Sequence, residues 1–153
     1  MTDSPRSRPP ALSLEENVFV SLQRTAAWLL QGVEQLLKEQ GLSPAQYNVL
    51  RILRGAGPAG LSCREIAERM ITRDPDMTRL LDRMEKRGLV ARARQQIDRR
   101  VVTTRVTPAG LKLLKALDNP VYDHHRRCFR HIPPARLKAL ALLLERVRCP
   151  APA

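Results

Sequence analysis

The sequence predicts one mainly α-helical domain that contains a single two-stranded β-hairpin. Its 153 residues suit one hydrophobic core rather than two, and 43% of them are hydrophobic. Apolar residues recur every three or four positions through most of the chain, as in amphipathic helices. Residues 89–107 change instead to the two-residue alternation of strands. No apolar run is long enough to cross a membrane, so we expect no membrane association.

The first elements are an arm and two helices. Residues 1–11 are rich in Pro, Ser and Arg, which predicts a disordered arm. Ser13 begins a capping box, in which a serine and a Glu or Gln three residues later satisfy each other's backbone N–H groups. The helix that follows is expected to end near Gly41, and a second capping box at Ser43 begins the next helix.

Two shorter helices are predicted next, close together in the chain. Ser62 begins the first through a third capping box. We expect Asp74 to cap the second and Pro75 to be its first residue, which leaves only residues 71–73 as a connection. Two short helices joined in this way form a helix-turn-helix. The inner face of the second helix is predicted to be Met77, Leu80, Leu81 and Met84.

The hairpin, or wing, is predicted over residues 89–107, and Thr107 caps a long helix after it. A last helix follows two consecutive prolines, and residues 149–153 are expected to fray. The predicted architecture for residues 12–148 is therefore a winged helix-turn-helix between long terminal dimerisation helices. The winged helix-turn-helix spans about 42–107, and the long helices span about 12–40 and 108–148. Because the long helices carry more apolar surface than one small domain can bury, we expect a homodimer.

Charge and composition narrow the functional class. The net charge is +12, which favours a polyanionic partner. Aromatic residues make up only 3%, which argues against folds that stack bases on aromatic platforms. Three widely spaced cysteines do not form a disulfide framework, so a cytoplasmic protein is expected. No phosphate loop, nucleophile elbow or paired-acid pattern is present, so we expect no enzymatic activity and no cofactor.

Four segments carry a family resemblance in their order and spacing: residues 66–70 (IAERM), 78–90 (TRLLDRMEKRGLV), 98–100 (DRR) and 106–110 (VTPAG). They resemble the MarR family of bacterial transcriptional regulators. The resemblance implies a homodimer that binds a pseudo-palindromic operator in double-stranded DNA, usually as a repressor. It also implies release by a small aromatic ligand or by cysteine oxidation. Asp74-Pro75-Asp76 departs from the small and hydroxyl residues usual in the family, so the operator sequence cannot be carried over.

The second helix of the helix-turn-helix is the predicted DNA reader. Base contacts of such motifs come from the N-terminal part of this helix. We therefore expect Arg73, Asp76, Thr78 and Arg79 near base edges and Arg83 on a phosphate. The alternative is a solvated polar face with ion pairs between residues three or four apart.

The wing is the second predicted DNA contact. Its region from 86 to 105 has seven basic residues against Asp98 alone, a net charge of 7 − 1 = +6. The basic residues are Lys86, Arg87, Arg92, Arg94, Arg99, Arg100 and Arg105. We expect Arg94, Asp98, Arg99 and Arg100 to contact DNA, and the resemblance implies that Asp98 orients Arg100 into the minor groove. The alternative is a turn in which Asp98 bonds its own backbone.

Three further features are candidate sensors, each with a structural alternative. Cys63 lies in the first turn of a helix, which favours the thiolate, although it can equally be an inert small residue. His124, Cys128 and His131 share a helical face that could ligate zinc, but an apolar seam is the simpler account and no metal site is assigned. Trp28 and Tyr47 could contact an aromatic ligand, or pack in the core.

The preferred function is a ligand-responsive transcriptional regulator. The alternative is a non-specific architectural protein that uses the same winged helix without reading sequence. The ratio of specific to non-specific DNA affinity distinguishes the two.

Overall fold

A computed structural model describes residues 13–94 and 101–149. The predicted arm, residues 150–153 of the predicted frayed tail and the wing residues Asp98, Arg99 and Arg100 lie outside this described part. The described residues form six α-helices and three β-strands. The helices are α1 (Leu14–Glu39), α2 (Pro44–Ala56), α3 (Cys63–Arg69), α4 (Met77–Lys86), α5 (Pro108–Phe129) and α6 (Pro134–Arg148), and the strands are β1 (Leu61–Ser62), β2 (Val90–Arg94) and β3 (Val102–Val106).

The predicted helix starts at Ser13, Ser43, Ser62 and Thr107 are confirmed. Each of the three serines accepts a hydrogen bond from a backbone N–H in the first turn, and the Glu or Gln at that position accepts one in return. The Thr107 hydroxyl accepts from the Gly110 amide at 3.1 Å. These caps satisfy amides that the helices leave without an internal partner, so four helix starts are encoded locally.

The start of α4 differs from its prediction. The helix begins at Met77 with Asp76 as its N-cap, two residues later than expected. The Asp74 carboxylate instead accepts the Asp76 N–H at 2.9 Å and so forms a local turn ahead of the helix. Residues 70–76 therefore connect α3 to α4, in place of the three residues predicted.

The sheet contains the predicted hairpin and one further strand. β2 and β3 pair antiparallel, from Val90 opposite Val106 to Arg94 opposite Val102. β1 pairs with the other side of β3 and is too short to show any alternation in sequence. Gly60, at φ +70°, allows the close approach before β1, because a Cβ there would lie 2.5 Å from the Thr104 carbonyl oxygen.

The core lies beneath the helix-turn-helix, where α2, α3 and α4 meet the C-terminal end of α1 and the first half of α5. Its fully buried members include Leu37, Leu50, Ile66, Met84 and Leu114. The predicted inner face of α4 is buried throughout. Nothing in the described part of the chain combines the length and hydropathy of a membrane-spanning helix.

The terminal helices leave much of their apolar surface uncovered. No residue of α6 is buried, and Leu143 and Val147 are 58% and 69% exposed. α1 contributes further exposed apolar side chains: Leu14, Val18, Phe19 and Trp28. One chain therefore does not bury the apolar faces that form these helices.

Candidate nucleic-acid interface

Burial of one face of α4 in the core determines which residues of this helix face outward. Met77, Leu80, Leu81 and Met84 hold the helix against the core, so the residues between them point away from it. Thr78, Arg79 and Arg83 are exposed, as is Arg73 in the preceding segment. Among the described residues, these three arginines have no ion-pair partner, so their guanidinium groups are available to an external anion.

Asp76 lies at the N-terminal end of this face. It is exposed, and its Oδ1 accepts the Arg79 amide at 3.0 Å. Its carboxylate therefore stabilises the start of the helix, a structural role that sequence reasoning had assigned to Asp74.

The wing strands bring Arg94 to the end of β2, where its side chain is exposed. Arg94 pairs with Val102 in the ladder. The other predicted wing contacts, Asp98, Arg99 and Arg100, lie outside the described residues, so their predicted roles stay predictions.

Three of the seven basic side chains predicted for the wing make contacts with other groups of the protein. Arg87 donates to the Gly41 carbonyl at 2.8 Å, and Arg105 donates to the Pro58 carbonyl at 2.7 Å. Arg92 pairs with α4. Arg87 and Arg105 reach carbonyls 46 and 47 residues away in the chain, which a count of charges could not detect. The pairing of Arg92 with two carboxylates of α4 lowers the net positive charge that this region presents.

Arg92 joins β2 to the outer side of α4. Its Nε donates to Glu85 Oε2 at 2.9 Å, its backbone N–H donates to Glu85 Oε1, and its Nη2 reaches Asp82. The hydrogen bond from Arg92 lowers the pKa of Glu85. This contact fixes the wing strand relative to the helix that precedes it, and sequence reasoning missed it.

A cavity of about 740 Å³ lies on the inner side of the helix-turn-helix. It is bounded by α1, α2, α5 and the segment that leads from α3 towards α4. Its lining is mainly apolar, and it includes Leu29, Val33, Ala45, Tyr47, Met70 and Val121. Tyr47 therefore lines a site with room for a small molecule, whereas the other predicted contact, Trp28, is 58% exposed and is not part of the lining.

Few polar groups reach this cavity, and they differ in charge. The Arg51 guanidinium lies over the Tyr47 ring at 5.8 Å from its centre. Partial desolvation lowers the pKa of His125, and electrostatic interactions with His124 and Arg51 lower it further. Burial also raises the pKa of Tyr47. The lining also contains one arginine, Arg51, and one carboxylic acid, Glu34.

Of the three predicted zinc-ligand candidates, His124 and Cys128 lie close together in the structure and His131 lies apart from them. The His124 ring packs on Gly32 of α1, where a Cβ would lie 2.1 Å from the ring, and its Nε2 is 3.5 Å from Cys128 Sγ. His131 lies past the end of α5 and is exposed. In residues 13–94 and 101–149 no three potential ligands cluster closely enough for a metal ion. The first two residues form a seam between α1 and α5.

Cys63 occupies the predicted first turn of α3 and packs, half-buried, against the core. The redox role of Cys63 stays a prediction.

Comparison with known proteins places this arrangement in a family. The model of the MarR family matches residues 42–102, from before α2 to the start of β3. The transcriptional repressor IacR of Pseudomonas putida is 30% identical over 131 residues, which cover 86% of this chain and 77% of IacR.

Solved structures agree with this assignment. A MarR transcription factor from Planctomyces limnophilus is 40% identical with a TM-score of 0.67, over 89% of this chain and 98% of that one. CouR from Rhodococcus jostii, solved with p-coumaroyl-CoA, is 27% identical with a TM-score of 0.77, over 94% and 99%. These relatives are regulators rather than enzymes. The chain, with its winged helix-turn-helix, therefore belongs to the MarR family of transcriptional regulators.

Proposed function

We propose that the protein is a ligand-responsive repressor that binds a pseudo-palindromic operator as a homodimer. The observation that carries the DNA-binding mode is the exposed row of Arg73, Thr78, Arg79 and Arg83 on and beside a helix whose opposite face is wholly buried. Such a helix presents donors to base edges and phosphates without rearrangement. α4 then occupies the major groove, with Arg100 of the wing in the minor groove.

The uncovered apolar faces of α1 and α6 support a homodimer. A second concavity, about 450 Å³, lies between these helices and the end of α5, and includes Val18, Leu22, Phe129 and Leu144. A second copy of the chain could cover these faces by a twofold axis, which would place two copies of α4 on successive half-sites.

The cavity beside the helix-turn-helix supports release by a small ligand. Its volume lies within the range of small-molecule sites. Its mainly apolar lining, with one cation in Arg51 and one acid in Glu34, suits an aromatic molecule whose anionic or strongly polar group binds Arg51. CouR, one of the relatives above, was solved with p-coumaroyl-CoA, an aromatic acyl compound.

Selection of duplexes from a random-sequence library tests the operator proposal. We expect the purified protein to enrich a pseudo-palindrome and to bind it about 10³-fold or more tightly than scrambled DNA at physiological salt. Equal affinity for selected and scrambled duplexes would favour the architectural function instead. The same protein with Arg79→Ala is the matched control, because it should keep salt-dependent binding and relax the sequence preference at one base-pair position.

A further inference from the structure

The cavity and the DNA-reading helix share one stretch of backbone. Met70, Ile71 and Thr72 contribute to the cavity lining, and the chain continues from them through Arg73 to the N-cap of α4. A molecule in the cavity thus touches the start of a connection whose other end positions the proposed base-reading residues.

This connection is weakly held. Ile71 is 84% exposed, so burial does not fix it. In the described part of the chain, residues 71–75 make one hydrogen bond to another element: the Ile71 amide donates to Asn48 Oδ1 at 2.9 Å. The bond within Asp74–Asp76 is local and shapes the turn without attaching it to the rest of the protein.

Asn48, which accepts the hydrogen bond from Ile71, also lines the cavity. It lies half-buried on α2, one turn after Ala45 and one turn before Arg51, and all three contribute to the lining. A polar ligand group drawn towards Arg51 therefore comes close to the Asn48 carboxamide, whose Nδ2 can donate a hydrogen bond to it. A carboxamide that turns to a ligand withdraws the acceptor of Ile71.

We infer that Asn48 is the positioning residue that couples the cavity to the DNA-reading helix. Its bond to Ile71 holds residues 70–76 in the arrangement that presents Arg73 and α4 to DNA, and occupancy of the cavity breaks that bond. The inference rests on the proposed function, since it names how the proposed ligand site acts on operator binding. The proposed DNA-binding state has the bond between Asn48 and Ile71, and the proposed ligand-bound state lacks it and has residues 70–76 rearranged. DNA favours the first state and the cavity ligand favours the second.

Two substitutions of nearly equal size separate this role from packing. Asn48→Leu removes the acceptor, whereas Asn48→Asp keeps an oxygen for the Ile71 amide. We expect faster amide hydrogen exchange in residues 70–76 and about tenfold weaker binding to the selected duplex for Asn48→Leu. Asn48→Asp should retain slow exchange and most of the affinity. Equal behaviour of the two variants would overturn the inference.

Occupancy of the cavity is tested without knowing the natural ligand. In a full-length chain whose three cysteines are serines, Ala45→Cys is modified with benzyl methanethiosulfonate, which tethers a phenyl ring to the lining. We expect this modification to weaken duplex binding by about tenfold with Asn48 present and by less than about twofold in the Asn48→Leu background.

The outcomes are distinguishable. An equal loss in both backgrounds, or no loss when Asn48 is present, would overturn the role of Asn48. A failure of the unmodified protein to prefer the selected duplex over scrambled DNA would instead reject the proposed operator binding.

Discussion

The arginines near α4 divide into two groups by what their guanidinium groups contact. Arg87, Arg92 and Arg105 bind carbonyls or carboxylates of the protein. Arg79 and Arg83, one turn apart on α4, are exposed and have no ion pair within the described residues. Arg79 and Arg83 can therefore bind an external anion without breaking a contact of the protein, a difference that residue type alone does not reveal.

Replacing Arg79 and replacing Arg83 are predicted to change DNA binding in different ways. Arg79→Ala should cost about 1–3 kcal/mol on the selected duplex and relax preference at one base-pair position, because a base contact is lost. Arg83→Ala should weaken all duplexes alike and reduce the slope of log affinity against log salt by about 1, because a phosphate contact is lost. Titrations at several salt concentrations measure both effects. A reversed pattern would exchange the two assignments.

Arg100 is predicted from sequence to enter the minor groove. Arg100→Ala should weaken operator binding by about 1–3 kcal/mol. Gel-shift titration at matched salt measures it, with Arg94→Ala as the neighbouring cationic control. Unchanged affinity for Arg100→Ala would remove the minor-groove role.

At the scale of the elements, the wing and α4 are connected through side chains as well as backbone. Arg92 on β2 reaches both Glu85 and Asp82, two acidic residues of α4 that lie one turn apart. The sequence predicted the helix and the strand but not this connection, because the pairing depends on how the strand crosses the helix.

Removal of this connection should loosen the wing. Arg92→Met keeps the length of the side chain but loses its donors, and we expect faster hydrogen exchange in β2 and weaker operator binding, with folding retained. The control is Arg64→Met, which removes an exposed ion pair with Glu68 on α3. Similar exchange in β2 for both variants would show that Arg92 does not hold the strand.

The contact between Arg92 and Glu85 predicts that the stability of the protein depends on pH. Because Arg92 lowers the pKa of Glu85 in the folded protein, Glu85 contributes stability that is present above its ordinary pKa of 4.5 and is lost as the pH falls below it. Denaturant titrations from neutral to acidic pH should show a shallower loss of unfolding free energy in Arg92→Met than in the native chain. Parallel curves would contradict this contribution.

At the scale of the whole molecule, one chain leaves α1 and α6 incompletely covered. Leu143 is 58% exposed on a helix without a buried residue. In a homodimer that buries this face, Leu143→Glu would place an unpaired charge in the interface.

We expect Leu143→Glu to shift the protein towards the monomer and to weaken operator binding, because a monomer engages one half-site. Analytical ultracentrifugation measures the mass. Lys112→Glu, an exposed position on α5, changes the charge in the same direction outside this face and serves as control. A native chain that sediments as a monomer would reject the proposed dimer.

The sequence by itself determined the features that depend on neighbouring residues. Capping boxes at Ser13, Ser43 and Ser62 act over three residues, and apolar spacing is read within one helix, so the helices, the hairpin and the outer face of α4 were predictable. The family resemblance extended these features to a function. The start of α4 was the local exception, because Asp74 and Asp76 are both suitable caps and the turn between them selects the second.

Only the tertiary structure decided which distant groups meet. The pairing of β1 with β3, the contact of Arg92 with α4, the split of His124 from His131 and the bond between Asn48 and Ile71 join residues through space. No periodicity reports such contacts, because their energies depend on the packing of whole elements against one another. The cavity has the same origin: its lining comes from three helices and one connection, and its shape exists only once they are packed.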